Sequence, residues 1–269
     1  MAGNQDLLLA VNLGNTSTVF GVFQGAKLVT QWRLSTQRNR MEGEYLALLR
    51  SLLDQEELPL PQRAMVSSVV PPTTRDLLAA LERCGMTYTL LDAQTDTGVR
   101  IEIDNPKEVG ADRIANAAAI VAEGLKHDHA VVVDIGTATT FDVVSRAGAY
   151  LGGAIAPGPA SAAEALYTAA WKLPRIDLVP PPSVLGRNTV HAMQSGVMFG
   201  YGGLVDGLLQ RYRRELGGTM LTIATGGYAQ LFSTLCSQIN QVDLDLTLRG
   251  LWHIAQRPGN NPARRRRQK

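Results

Sequence analysis

Short apolar runs, each closed by Gly, Thr, Asn or Pro, recur along the chain and predict buried strands. Residues 7–11 form the first, and residues 28–34, 64–70, 88–91 and 99–103 read as later ones, with Pro71-Pro72 stopping the run at 64–70. Elsewhere the apolar period lengthens to that of a helix. Tyr45, Leu46, Leu49 and Leu52 share one face of residues 43–53, and Ile114, Ala117, Ala118 and Val121 share one face of residues 114–123. Further helices are expected at 75–84, capped by Thr73 or Thr74, and at 160–170, 190–200, 202–216 and 246–255, with Thr189 suited to cap the helix from 190. Residues 150–159 are glycine-rich and uncharged, as in a loop a ligand can approach, although a plain loop would look similar. Strands alternating with helices give an α/β chain with helices packed on a sheet.

One pattern occurs twice. After the run at 7–11 come Asn12, Leu13, Gly14, Asn15, Thr16, Ser17, Thr18 and Val19. After the run at 131–133 come Asp134, Ile135, Gly136, Thr137, Ala138, Thr139 and Thr140. Each copy is a strand, a carboxylate or its amide at the strand end, a Gly-and-Thr turn, and a second strand. Copies opening at positions 12 and 134 indicate a duplicated unit, because solenoid repeats recur every roughly 20–50 residues. Glycine lets backbone approach a ligand, and Thr hydroxyls with successive N–H groups can wrap an anion. Gly and Thr also make ordinary hairpin turns. Two copies favour phosphate binding, with the hairpins facing one nucleotide. Thr225-Gly226-Gly227 ends another strand and forms a third candidate nucleotide turn. Asp112 falls in the first turn of the helix near 114, where it either complements the helix dipole or serves as a general base, with Arg113 beside it for an anionic group.

Composition narrows the class. With 269 residues, 45% of them hydrophobic, the chain can bury the cores of one or two domains. No apolar run reaches the roughly 18–20 residues of a membrane span, and the N-terminus does not read as a signal peptide. Cys84 and Cys236 have no CxxC spacing and read as reduced packing residues of a cytoplasmic protein, and the four histidines lack zinc-ligand spacing. The net charge of +2 rests on Arg264, Arg265, Arg266, Arg267 and Lys269, so the remainder is net acidic and does not suggest a nucleic-acid partner.

These stretches in order, with 67–72, 104–116, 150–158, 186–207 and 224–248, resemble the type III pantothenate kinases, of the acetate kinase, sugar kinase, Hsp70 and actin superfamily. The resemblance implies two duplicated actin/ribonuclease H-like domains, each a mixed sheet flanked by helices, with a nucleotide cleft between them. Their expected bounds are 1–115 and 116–256, followed by a disordered basic tail at 257–269. It implies ATP-dependent phosphorylation of pantothenate, the first step towards coenzyme A, by a homodimer. Asp112 would take the proton of the pantothenate hydroxyl, and Gly110, Ala111, Arg113 and Thr189 would contact that substrate. Asn12 to Val19, Thr137, Gly226 and Gly227 would bind ATP with its Mg²⁺, and Asp134 would hold a monovalent cation, K⁺ or NH₄⁺. Two positions depart from the family pattern: Asn12 stands for its usual Asp, and Ile103, at the substrate site, for its usual Tyr. They leave open a homologue that binds nucleotide or pantothenate and acts as an accessory factor, although Asp112 and Asp134 argue against it.

Overall fold

The structure, a computed structural model, describes residues 7–260. It forms two compact units. The first holds the described residues up to Arg100, then Asp104–Glu123 and the residues from Leu246 onward; the second holds Ile101–Ile103 and Gly124–Asp245. The division therefore differs from the expected break after residue 115, because the whole of the helix carrying Asp112 and the C-terminal helix both join the first unit.

In the first unit, β1 (Leu7–Leu13), β2 (Ser17–Gln24) and β3 (Lys27–Ser35) form an antiparallel meander. Helix α1 (Glu42–Gln55), β4 (Arg63–Ser68), α2 (Pro71–Arg83) and β5 (Thr87–Leu90) follow, and β4 and β5 extend the sheet in parallel on the other side of β1. The short β6 (Arg100–Ile101) joins the second sheet, and α3 (Ala111–Glu123) returns to the first unit. In the second unit, β7 (His129–Ile135), β8 (Ala138–Ser145) and β9 (Ala149–Pro157) repeat the meander. After α4 (Pro159–Ala169) and α5 (Thr189–Leu216) come β10 (Met220–Thr225), α6 (Ala229–Ser233) and β11 (Gln241–Val242); β10 lies parallel to β7 and β11 parallel to β10. Helix α7 (Leu246–Gln256) closes the first unit. The sheet orders β3-β2-β1-β4-β5 and β11-β10-β7-β8-β9-β6 thus contain the same five-strand arrangement, as the repeat predicted.

Each sheet has its own core. Leu9, Val11, Phe20 and Val22 pack with Tyr45, Leu49, Leu77 and Leu81 in the first unit, and Val131, Val133, Phe141 and Val143 pack with Met198, Tyr201 and Val205 in the second. The alternating strand pattern turns these residues inward, and the helices cover them.

Four expectations change. Pro71 and Pro72 do not separate β4 from a later helix; they are the first residues of α2. The first turn of a helix has no use for the N–H that proline lacks, and proline's φ is already helical. Thr74 therefore lies inside the helix, and its hydroxyl donates to Val70 O at 2.8 Å. The helices expected at 190–200 and 202–216 are one helix of 28 residues. Residues 150–157 are strand rather than loop, with Gly153 so close under β8 that a Cβ would lie 1.5 Å from Phe141 O. Residues 257–260 are packed, with Asn260 Nδ2 donating to Asp96 O (2.7 Å) and Ile254 O (2.9 Å). The rest of the expected tail lies outside the described residues. Among the described residues, no helix is long and apolar enough to cross a membrane.

Candidate active site

The first repeated turn joins β1 to β2. Leu13 pairs with Thr18 and Asn12 with Val19, and Gly14 N donates to Ser17 O at 3.1 Å, leaving Asn15 and Thr16 exposed at the tip. The turn is braced from β3. Thr36 Oγ1 donates to Gly14 O (2.7 Å) and lies 2.9 Å from Thr18 Oγ1, and Arg33 donates to Ser17 Oγ (3.0 Å). Asn12 is half-buried at the strand end, next to Ser67 of β4, a fully buried serine whose hydroxyl has no partner.

Asp112 is also in the first unit, in the first turn of α3. Its Oδ1 accepts a hydrogen bond from Arg113 N at 2.9 Å. Burial pushes its carboxyl above the usual range, and the Arg113 N–H and guanidinium only partly oppose that. Gly110 leaves room for this side chain, since a Cβ there would stand 2.7 Å from Asp112 Oδ1. Ala111 and Arg113 flank it, both half-buried. A half-buried carboxylate with a raised pKa at a helix start can accept a proton.

The second turn joins β7 to β8, with Ile135 paired to Thr139 and Asp134 to Thr140. Gly136 N donates to Ala138 O at 3.0 Å. Here the brace comes from α4. Gly158 N and Ser161 Oγ both donate to Thr137 O, at 3.0 and 2.8 Å. A Cβ on Gly158 would stand 2.0 Å from Gly136 O, so only glycine lets the start of α4 sit on this turn. The Thr139 hydroxyl bonds the Tyr201 hydroxyl of α5, whose pKa burial raises to about 12. The turn after β10 meets the same place: at Gly226 (φ +92°) a Cβ would stand 2.3 Å from Asp134 Oδ1. Gly227 follows, exposed. Asp134, Thr137, Gly226 and Gly227 thus gather around the ends of β7 and β10.

Ile103 and Thr189 sit on other parts of the second unit. Ile103 is half-buried, its Cγ2 3.5 Å from where a Cβ on Gly152 would be. Thr189 is exposed and is not the cap of α5. Asn188 is, its Oδ1 accepting from His191 N at 2.8 Å, which suits asparagine in extended backbone. Sequence reasoning missed Thr36, Gly158 and Ser161, which brace the turns, and a buried network beside Asp134's partner Thr140. In that network Asp142 is fully buried and accepts from Thr140 Oγ1 (2.9 Å) and Tyr150 OH (2.8 Å). The one available signal was Pro157-Gly158-Pro159, a glycine at the threshold of a helix.

A resident metal cage is not the chemistry of this donor set, for no three His, Cys, Asp or Glu side chains gather among the described residues. A carboxylate surrounded by turn backbone, as at Asp134, suits a hard cation held with help from carbonyls and water. A Mg²⁺ arriving with a nucleotide needs only one or two protein contacts.

The profile of the type III pantothenate kinases matches residues 8–211. A type III pantothenate kinase of Thermus thermophilus is 48% identical over 249 residues, covering 92% of this chain and 98% of that protein. One of Myxococcus xanthus is 47% identical, covering 91% and 96%. Among solved structures, a Campylobacter jejuni protein assigned to the Baf family of transcriptional activators superposes with a TM-score of 0.57. At 18% identity, covering 92% of this chain and 96% of that one, it speaks to the fold alone. A family profile over most of the chain, and relatives nearly half identical along almost all of it, settle the lineage: the chain belongs to the type III pantothenate kinase family.

Proposed function

We propose that this protein transfers the γ-phosphoryl group of ATP to the hydroxyl of pantothenate, giving 4′-phosphopantothenate and ADP. The observation that carries the reading is Asp112, a half-buried carboxylate of raised pKa at the start of α3, in a chain of the pantothenate kinase family. The hydroxyl oxygen forms the new bond to phosphorus, the bond to the ADP oxygen breaks, and Asp112 receives the hydroxyl proton. Gly110, Ala111, Arg113 and Thr189 bind pantothenate, with Arg113 suited to its carboxylate. Ile103 packs against it without the hydroxyl of a tyrosine, a difference worth about tenfold in affinity.

The turn from Asn12 to Val19, together with Thr137, Gly226 and Gly227, holds ATP through backbone N–H groups and hydroxyls. Phosphoryl transfer depends on such positioning and on charge neutralisation, which Mg²⁺ on the nucleotide and a K⁺ or NH₄⁺ ion at Asp134 would supply. Asn12 can accept a hydrogen bond from metal-bound water but adds no charge. The two free, buried cysteines and the use of ATP support a cytoplasmic enzyme.

A homodimer accounts for an otherwise costly surface. Gly196, Gly200, Gly203 and Gly207 fall on one stripe of α5, the first three with open space where a Cβ would be, although each glycine weakens an isolated helix by about 1 kcal/mol. Trp171, Val184 and Leu185 are exposed in the same unit. Light scattering on the purified protein tests this, and a monomer would remove the dimer.

Turnover of ATP with and without pantothenate, with the product identified by mass, tests the activity; turnover indifferent to pantothenate overturns it. Asp112→Asn is expected to lower kcat by about 10²–10⁴-fold while the protein still folds and binds ATP. The same variant should melt higher at neutral pH. A carboxyl whose pKa is raised on folding favours the folded state at low pH, and that contribution is lost as pH rises through the folded pKa, so asparagine removes a penalty. Wild-type turnover in Asp112→Asn would remove Asp112 from the mechanism.

A further inference from the structure

Asn116 lies one helical turn beyond Asp112 on α3 and is fully buried. Its Oδ1 accepts a hydrogen bond from Thr247 Oγ1 of α7 at 2.7 Å. Its Nδ2 has no partner. An unpaired donor at such depth opposes folding and calls for an explanation; Trp252 Nε1, further along α7, is a second buried donor without a partner. The two helices touch closely here: a Cβ on Gly250 of α7 would stand 1.8 Å from Ala115 O. Because Oδ1 is tied to α7, the amide cannot turn freely, and Nδ2 is directed away from Thr247. Helical side chains lean towards the N-terminus and cover the position four residues back, which for Asn116 is Asp112.

We propose that Asn116 is a positioning residue for Asp112, with Thr247 fixing its amide so that the Nδ2 N–H donates to the Asp112 carboxylate in its ionised, proton-accepting state. The proposal rests on Asp112 as the general base. A buried donor of this kind favours the anion, fixes its orientation, and limits how far burial raises the carboxyl. Few other charges bear on that carboxylate. Arg113 is its neighbour on α3. On α7, Arg249 and His253 are engaged with Glu123 at the other end of α3. β4, which packs against α3, carries Arg63, Ser67 and Ser68, and the segment before α3 carries Lys107 and Glu108, the latter bonded to Asn105.

The test is the pH profile of kcat/KM for pantothenate in Asn116→Leu/Thr247→Val. Replacing both hydrogen-bonding partners by apolar groups of similar shape keeps the packing. The expected result is a folded enzyme with about tenfold lower kcat/KM near neutrality and an acid limb about one pH unit higher. Thr247→Val alone, which keeps the Nδ2 donor, should lose less and shift the limb less. A folded double variant with the wild-type limb overturns the proposal, because a purely structural role would change stability without moving the limb. If the double variant does not fold, the Asn116 side-chain amide resonance of the wild-type protein decides. It should titrate with Asp112 and stop doing so in Asp112→Asn; an amide indifferent to that titration overturns the proposal. Loss of turnover in Asp112→Asn tests the general base separately, so failure of either idea can be told from failure of the other.

Discussion

The two repeated turns differ in charge, in length and in what supports them. The first spans Leu13 to Thr18 and carries the neutral Asn12; the second, from Ile135 to Thr139, is one residue shorter and carries Asp134. The first is braced by side chains of its own meander, Thr36 and Arg33, whereas the second is braced by the start of a helix, through Gly158 and Ser161. Both sit at the same topological point, where the central strand of each sheet feeds its antiparallel neighbour. The same fold position thus presents two different surfaces. The first turn is built of uncharged residues with Asn15 and Thr16 exposed at its tip, and the second places the Asp134 carboxylate beside the glycine turn after β10.

If charge is the essential difference, removing it should have the largest effect. Asp134→Asn makes the second turn resemble the first, and turnover is expected to fall about 10²–10³-fold, with far more K⁺ needed for what remains. A K⁺ titration of turnover measures this. An unchanged K⁺ requirement would mean that the cation binds elsewhere and that the charge of Asp134 does not separate the turns. The support is tested next. Gly158→Ala places a methyl against Gly136 O and Thr137 O, where neither backbone atom can yield cheaply. It is expected to destabilise the protein by about 1–3 kcal/mol and to raise the KM for ATP by about tenfold. Thermal melting with ATP kinetics reads both, and a wild-type KM would show that the helix brace does not set the turn.

This asymmetry marks where the sequence was legible. The duplication, the strands and the position of Asp112 could be read because apolar periodicity and short motifs are local signals. Gly200 and Gly202 look like a break between two helices, yet tertiary packing of Met198, Tyr201 and Val205 carries α5 through them. Residues 150–157 looked like loop because glycine disfavours strands, and only the contact of Gly153 with β8 explains its presence there. Thr36, Ser161 and Thr247 were invisible because their partners lie 22, 24 and 131 residues away in sequence. The repeated motifs are local signals in the chain; the residues that hold them in place are not.

The smallest expected change runs in the opposite direction and is the most informative about the first turn. Asn12 is half-buried at the end of β1, among the strand partners Val19 and Ser67, with no charge of its own. Asn12→Asp is nearly isosteric, so it changes the charge at the strand end while leaving the ladder in place. A carboxylate there would favour the hydrated cation on ATP, and the Mg²⁺ concentration for half-maximal turnover should fall by about twofold to tenfold, with a modest gain in kcat. The magnitude is small because a metal arriving on phosphate already has most of its ligands. Should Mg²⁺ dependence stay the same while ATP binding weakens, the added charge would be repelling phosphate. Asn12 would then belong to the anion-binding part of the turn, and the neutral residue would be what that turn requires.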